Sequence, residues 1–269
     1  MEQNYKKTIS IIIATWNAEL YLRRSLNAII EQLNPRVELI IIDGLSTDNT
    51  KSIINEYKNF IAYTCSEKDK GIYDAWNKGI KKSHGDWIMF LGADDCLLKN
   101  AINNYLKYID ETDTTNIDLI SSVRTMTSKK NKKLYDVGDL WTWPQCISGM
   151  QISHPGALQK KTLYQEVGLY NLNFHIVGDY ELLMRKGPKL KAAFLNFTSV
   201  LMQEGGMSDS FKAIREYYKV LKSNRYVHNN LAIKSYIIMS TKYLIKKTFR
   251  VLGLNIHKDG KSYSCSRFI

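Results

Sequence analysis

Four short apolar runs, residues 8–14 (TISIIIA), 37–42 (VELIII), 61–65 (IAYTC) and 87–93 (WIMFLGA), alternate with segments of helical periodicity. Continuous β-branched runs mark strands buried on both faces, and parallel strands need crossover connections, usually helices, wound in the right-handed sense. The fold class expected is therefore α/β, with a Rossmann-like, mostly parallel central sheet covered by helices and followed by C-terminal helices. In open sheets of this kind ligands gather beyond the carboxyl ends of the strands. The residues that close each run are the site candidates: Thr15, Trp16 and Asn17, then Asp43 with the polar loop 44–49, then Glu67, Asp69, Lys70 and Gly71, then Asp94 and Asp95.

Asp94 and Asp95 are adjacent at the end of a run in which residues 87–93 carry no charge. Two neighbouring carboxylates repel, and a hard divalent cation with oxygen ligands relieves that repulsion. The competing reading is a solvated turn in which Asp95 caps the next helix. Asp43 adds a third acid on the same sheet edge. Together these suit a nucleotide, with one acid near base or ribose donors and the pair holding a metal on phosphate. No G-x-G-x-x-G follows the first run and no G-x-x-x-x-G-K-[ST] occurs, which argues against a dinucleotide fold and a P-loop NTPase alike.

Helices are expected over 19–33, from Ser46 or Asp48 as N-cap through Tyr57, and over 72–82. The second half is less regular. A helix over 101–109, a strand over 117–123, a basic loop over 129–133 and a strand near 157–159 are expected. Trp141, Trp143 and Pro144 form an aromatic turn, read as packing ahead of an acceptor platform. His154 reads as structural ahead of a phosphate or sugar contact, and Asp179, taken alone, as a helix cap. The loop 203–208 holds Gly205 and Gly206, which serve either as a hinge or as the end of a strand. Helices over 211–222 and 232–252 follow. In the last of these Lys242, Lys246 and Arg250 recur every four residues, while Ile233, Ile237, Leu244 and Val251, with Ile238, Ile245 and Leu252 beside them, make a broad apolar face. Such a helix either packs on the domain or lies in a membrane interface, and the net charge favours the membrane.

At 269 residues and 44% hydrophobic content the chain can bury one large core with a small appendage. Its formal net charge of +12 points to an anionic partner without choosing one. Cys65, Cys96, Cys146 and Cys265 contain no C-x-x-C pair and read as thiols of a reducing compartment. No signal-peptide h-region and no apolar run of about 20 residues is present, so the expectation is a cytoplasmic protein.

The segments SIIIATWNAELYLRRSL, IIIDGLSTDNT, EKDKGIYDAWNKGI and GDWIMFLGADD, joined later by HPGALQKKTLYQEVGLYN and GDYELLMR, resemble the family 2 glycosyltransferases in motif and in order. The likeness is concentrated over residues 8–98. It implies the GT-A nucleotide-sugar-binding fold and transfer of a sugar from a nucleotide diphosphate to an acceptor hydroxyl with inversion. By the same resemblance Thr15 and Asn17 line the nucleotide site, Asp43 contacts the uracil of UDP, and Ser46 and Asp48 form the loop behind it. Lys70, Gly71 and Asp74 close over ribose and phosphates, Asp94 and Asp95 hold Mn2+ or Mg2+, and Asp179 is the catalytic base. The chain departs from the family pattern at Gly92, where many members carry the first acid of D-A-D-D, and at Gly178, which replaces the first acid of the E-D pair. The Q-x-x-R-W signature of processive synthases is absent, so addition of one hexosyl or N-acetylhexosaminyl unit is implied.

The expected organisation is a glycosyltransferase domain over 1–209, with nucleotide half 1–98 and acceptor half 99–209, and a basic helical extension over 210–269. The partners implied are a UDP-sugar, a glycan or lipid-linked acceptor of lipopolysaccharide, capsule or O-antigen type, and the anionic cytoplasmic face of the inner membrane. Two rivals are a sugar-phosphate nucleotidyltransferase, for which TWNAE lacks the Gly-rich basic loop, and a basic nucleic-acid-binding protein, for which no module is recognisable.

Overall fold

The computed structural model describes residues 7–128 and 131–251. Strands β1 (Ile9–Thr15), β2 (Val37–Asp43), β3 (Tyr63–Ser66) and β4 (Trp87–Gly92) alternate with helices α1 (Leu22–Ile30), α2 (Thr50–Glu56) and α3 (Ile72–Lys82). There follow β5 (Cys96–Leu97), α4 (Ala101–Glu111), β6 (Leu119–Thr127), β7 (Lys133–Val137), α5 (Trp143–Cys146), β8 (Leu158–Lys160), α6 (Lys161–Val167) and α7 (Gly178–Lys186). The remaining elements are β9 (Ala192–Gln203), α8 (Phe211–Ser223) and α9 (Asn229–Val251). The described strands form one sheet in the order β3-β2-β1-β4-β8-β6-β9-β5, with β7 on β6. The β3-β2-β1-β4 half is parallel; β8 lies antiparallel to both β4 and β6, and β6 and β9 are parallel again. The α/β architecture expected from the sequence is thus the one observed.

The β-branched runs bury both faces because alternate residues point to opposite sides. Ile12, Ile40, Ile42, Ile88 and Phe90 join α3 and α7 in one core, while Ile11, Ile13, Leu39, Ile41, Met89 and Leu91 join α1, α2 and α4 in the other. Ala213, Val220 and Leu221 of α8 and Ala232 of α9 belong to the first of these cores, so both C-terminal helices are anchored to the sheet domain.

Some expectations shift. The helix expected from residue 19 starts at Leu22, because residues 17–19 are tied by hydrogen bonds to the loop after β2. The strand expected over 117–123 runs on to Thr127, and the twelve-residue β9 was not foreseen. Its segment is only half-buried over much of its length and is interrupted by Asn196 and Thr198, so neither periodicity stands out. Cys65 and Cys146 are free thiols, whereas Cys96 is disulfide-bonded and departs from the expectation of four thiols; Cys265 lies outside the described residues. No helix among the described residues is long and apolar enough to cross a membrane.

The last helix settles how its faces are used. It packs through Ala232 and Ser235, whose hydroxyl donates to the Ile147 carbonyl at 2.9 Å. The face that carries Ile233, Ile237, Ile238, Leu244 and Ile245 is exposed to solvent. Leu252 and the basic loop residues 129 and 130 lie outside the described residues.

Candidate active site

The parallel register sets the site. Thr15 stands opposite Asp43, Asp43 opposite Ser66, and Ala14 opposite Gly92, so four strand ends deliver their polar residues to one edge. Asp43 is fully buried, and its carboxylate accepts from the Thr15 and Ser66 hydroxyls and from both the hydroxyl and the N–H of Ser46. Direct contact of Asp43 with a base would require one of these bonds to be given up. Asn17, at φ 47°, donates its N–H to Ser46 Oγ and accepts from the Thr47 N–H. Asp48 accepts from the N–H groups of Glu19 and Thr50. Its limited burial works to raise the carboxyl pKa, but the bonds from Thr50 and Glu19 outweigh that and hold it below the usual range. The loops after β1 and β2 are therefore one hydrogen-bonded unit. Beside it Asp74, in the first turn of α3, accepts from the Lys70 N–H at 3.0 Å, and Gly71 at φ 110° turns the chain into the helix. The Lys70 side chain is exposed.

A cleft of about 480 Å³ opens next to this unit. Asp94, Asp95 and Asp179 line it together, with Tyr73 and Arg124, and Gly205 to Ser208 form part of its border. Thr15, Asn17, Asp43, Ser46, Asp48, Lys70, Gly71 and Asp74 form the adjoining sheet edge and do not line the cleft itself. Asp94 is exposed, its carbonyl held by an Arg24 N–H at 2.8 Å. Asp95 is buried and accepts from the Gly92 N–H at 2.7 Å. Burial first and the Asp94 charge second push the Asp95 carboxyl up to about 7, against the Gly92 hydrogen bond and the cations Arg124 and Arg24. A Cβ on Gly92 would stand 2.9 Å from Asp94 Oδ1 and 3.1 Å from Asp95 Oδ2, so the glycine leaves room for both acids.

Among the described residues no group of three or more His, Cys, Asp or Glu side chains could hold a metal by itself. The pair nevertheless fits a divalent cation: it sets an exposed carboxylate beside a buried one in a turn open to a cleft, and ions such as Mg2+ commonly take one or two carboxylates and complete their shell with water and substrate phosphate. Asp94 and Asp95 are the residues that would hold it.

Asp179 is half-buried in the first turn of α7. Its Oδ1 accepts from the Tyr73 hydroxyl at 3.2 Å, although that hydroxyl lies nearer the Ile176 carbonyl at 2.8 Å; Oδ2 accepts no hydrogen bond among the described residues. At the neighbouring position a Cβ on Gly178 would lie 2.8 to 2.9 Å from the Tyr73 ring. Tyr73 occupies the space a side chain at 178 would need. Substituting Gly178→Ala is expected to push this ring aside, cost about 1–3 kcal/mol by overpacking and lower turnover; chemical denaturation beside an activity assay checks both.

Sequence reasoning missed Arg124. It reaches the cleft from β6, its Nε is buried with no hydrogen-bond partner among the described residues, and desolvation lowers its pKa against the opposing pull of Asp95 and Asp179. The signal was a lone charge inside LISSVRTMT, an otherwise uncharged inner strand. His154 also borders the cleft, but it is buried and stacked on Trp76 and Phe90, with Gln159 Nε2 donating to its Nε2 at 2.8 Å. Burial lowers its pKa and keeps it neutral, which fits the structural reading. Trp141 is buried against Tyr180 and Trp143 packs on Tyr226, as the packing reading expected.

The chain belongs to the family 2 glycosyltransferases: the model of that family, Glycosyl transferase family 2, matches residues 10–171. A PGL/p-HBAD biosynthesis glycosyltransferase of Mycobacterium bovis (strain BCG / Pasteur 1173P2) is 27% identical over 208 residues, 75% of this chain and 79% of the relative. The putative teichuronic acid biosynthesis glycosyltransferase TuaG of Bacillus subtilis (strain 168) is 30% identical over 111 residues, 40% of this chain and 44% of that one. Among solved structures, S. aureus TarS 1-349 in complex with UDP-GlcNAc superposes with a TM-score of 0.65 at 16% identity, over 93% of this chain and 76% of that one. The longer TarS structure is spanned over only 42% of its length. Glucosyl-3-phosphoglycerate synthase from Mycobacterium tuberculosis, solved with Mn2+, UDP and its product, gives 0.58 at 16% identity, over 82% of this chain and 81% of that one. The fold is thus of the GT-A type, and the protein is a glycosyltransferase with relatives in cell-surface glycan synthesis.

Proposed function

We propose that the protein moves one hexosyl or N-acetylhexosaminyl unit from a UDP-sugar to a hydroxyl of a lipid-linked surface glycan, with inversion and with Mn2+ or Mg2+ bound. The observation that carries this reading is that Asp179, with one carboxylate oxygen free of hydrogen bonds among the described residues, lines the same cleft as Asp94 and Asp95. The solved TarS and glucosyl-3-phosphoglycerate synthase complexes hold UDP-GlcNAc or UDP with Mn2+, which supports a uridine donor here.

In this reading the rigid unit of Thr15, Asn17, Asp43, Ser46 and Asp48 walls the nucleobase, and Lys70, Gly71 and Asp74 close over ribose and phosphates. Asp94 and Asp95 hold the metal, whose Lewis acidity would ease departure of the diphosphate. Arg124 adds a second positive charge beside the same acids. Asp179 takes the proton of the acceptor hydroxyl as that oxygen attacks. One base opposite the leaving group, with no protein nucleophile, yields inversion. The net charge of +12 and the exposed apolar face of α9 support contact with the anionic cytoplasmic face of the inner membrane.

The test is thermal unfolding with UDP and Mn2+, separately and together. At a hundredfold excess over Kd the pair is expected to stabilise the fold by about 2.7 kcal/mol, with little effect of UDP alone. Protection by random-sequence nucleic acid and none by UDP with metal would overturn the reading.

A further inference from the structure

The loop between β9 and α8 has two sides. Gly205 to Ser208 border the catalytic cleft, while Ser208, Asp209 and Ser210 wall a second cavity, also about 480 Å³, against α8 and α9. Ser208 lines both. The floor of this second cavity is apolar, built from Ile214, Ile238, Met239 and Tyr243, and Lys242 and Lys246 also line it. Lys246 grips both carboxylate oxygens of Asp209 at 3.2 Å and ties α9 to the loop, whereas Lys242 is exposed. Across its 23 residues α9 carries five cations and no carboxylate. Ile238 links the cavity to the outer surface of the helix, where Ile237, Leu244 and Ile245 are exposed.

We infer that this groove binds the aliphatic chain of an anionic amphiphile, the lipid anchor of the acceptor, with its phosphate-bearing head at Lys242 and its sugar end directed past Ser208 to the cleft. Two features single out that occupant. An apolar floor with lysines matches a chain that ends in an anion, and neither a neutral detergent nor a free phosphate satisfies both parts. Continuity with the cleft through Ser208 matches a substrate in which chain and reacting sugar belong to one molecule. The inference rests on the reading of the acceptor as lipid-linked, and it adds the place where the lipid sits.

The experiment measures calorimetric binding of dodecyl phosphate, below its micellar concentration, to the full chain, with octyl phosphate, inorganic phosphate and UDP with Mg2+ titrated in parallel. Dodecyl phosphate is expected to bind one site and to stay bound when UDP and Mg2+ saturate the cleft. Because each buried methylene is worth roughly 0.8 kcal/mol, about fourfold, and octyl phosphate lacks four of them, it should bind roughly 250-fold more weakly when the whole chain is buried. Ile238→Asp and Lys242→Glu each place a repelling charge at an exposed position, and each should weaken dodecyl phosphate about tenfold. The unfolding temperature of each variant verifies that it folds. Equal binding of inorganic phosphate, displacement by UDP, or variants that bind like the parent would overturn the groove. So would binding to anionic vesicles with none to monomeric dodecyl phosphate, which would leave α9 with the bilayer contact alone and no groove for a single chain. Dodecyl phosphate bound as expected with no binding of UDP would remove the donor reading and leave the groove standing. UDP binding without dodecyl phosphate binding would do the reverse.

Discussion

Replacing Asp179 with Asn is expected to abolish sugar transfer while leaving UDP binding within a few-fold of the parent. The substitution is nearly isosteric, and an amide oxygen can still accept from the Tyr73 hydroxyl as Asp179 Oδ1 does at 3.2 Å, so the start of α7 has no reason to move. What it removes is the proton acceptor. A hydroxyl is a poor nucleophile near neutral pH, and general-base assistance is worth about 10²–10⁴ in rate, so kcat should fall by at least that range with little change in the KM for donor. UDP contacts, on the present reading, come from the β1–β3 edge and from the metal held by Asp94 and Asp95. Steady-state transfer and direct UDP binding on the same preparation separate the two effects. Transfer retained at near-parental rate would dismiss Asp179 as the base; lost UDP binding with transfer intact would invert its role.

How much of this was legible beforehand depends on what kind of signal each part sends. The parallel half was readable because β1, β2 and β4 are buried on both faces, and full burial forces uninterrupted apolar runs such as ISIIIAT and WIMFLG. Once the strands were placed, Thr15, Asp43 and Asp94-Asp95 had to share an edge, and the register puts Thr15 opposite Asp43. The second half obeys a different rule. β9 carries mostly half-buried residues and β8 is three residues long, so neither produces a periodicity that a single sequence can reveal. The roles of Arg124 and Tyr73 were hidden for another reason, although the lone charge of Arg124 inside an uncharged strand was itself a signal. Their importance comes from long-range geometry: Tyr73 meets Asp179 across 106 residues, and Arg124 meets the acids only when β6 is threaded beyond β8. Asp179, by contrast, was singled out only through family resemblance, since an acid in a first helical turn is ordinarily a cap. The apolar face of α9 was read correctly as a face, but nothing in its spacing could say whether it turns to the domain or away from it.

The buried member of the acid pair makes the second large prediction, because its ionisation is opposed by the fold and required by a cation. Asp95 titrates near 3.8 in an unfolded chain and is raised to about 7 here, chiefly by burial and then by Asp94. Between those values the unfolded chain has released a proton that the folded protein keeps. The metal-free protein should therefore lose stability as pH climbs from about 4 to about 7, by as much as a few kcal/mol, and show no further change from this group above that. Metal binding runs the other way: the cation needs the carboxylate, so its affinity should rise with pH up to about 7 and then level off. Asp95→Asn removes the ionisable group but keeps an oxygen for the Gly92 N–H, now 2.7 Å from Asp95 Oδ2. At pH 8 the metal-free variant should melt higher than the parent, and its stability should be flatter between pH 5 and 7. In the same variant the added protection by UDP with Mg2+ should disappear, and transfer with it. Asp94→Asn removes the charge that is the second cause of the Asp95 shift, so it should bring the Asp95 carboxyl down and lessen this pH dependence in part, with burial, the first cause, still in place. Melting curves from pH 5 to 8, with and without Mg2+ and UDP, test both halves at once. Metal-dependent protection that survives Asp95→Asn would remove Asp95 from the ligand set, and a parent protein equally stable across that range would show that the turn relieves the charge of Asp95 by some other route.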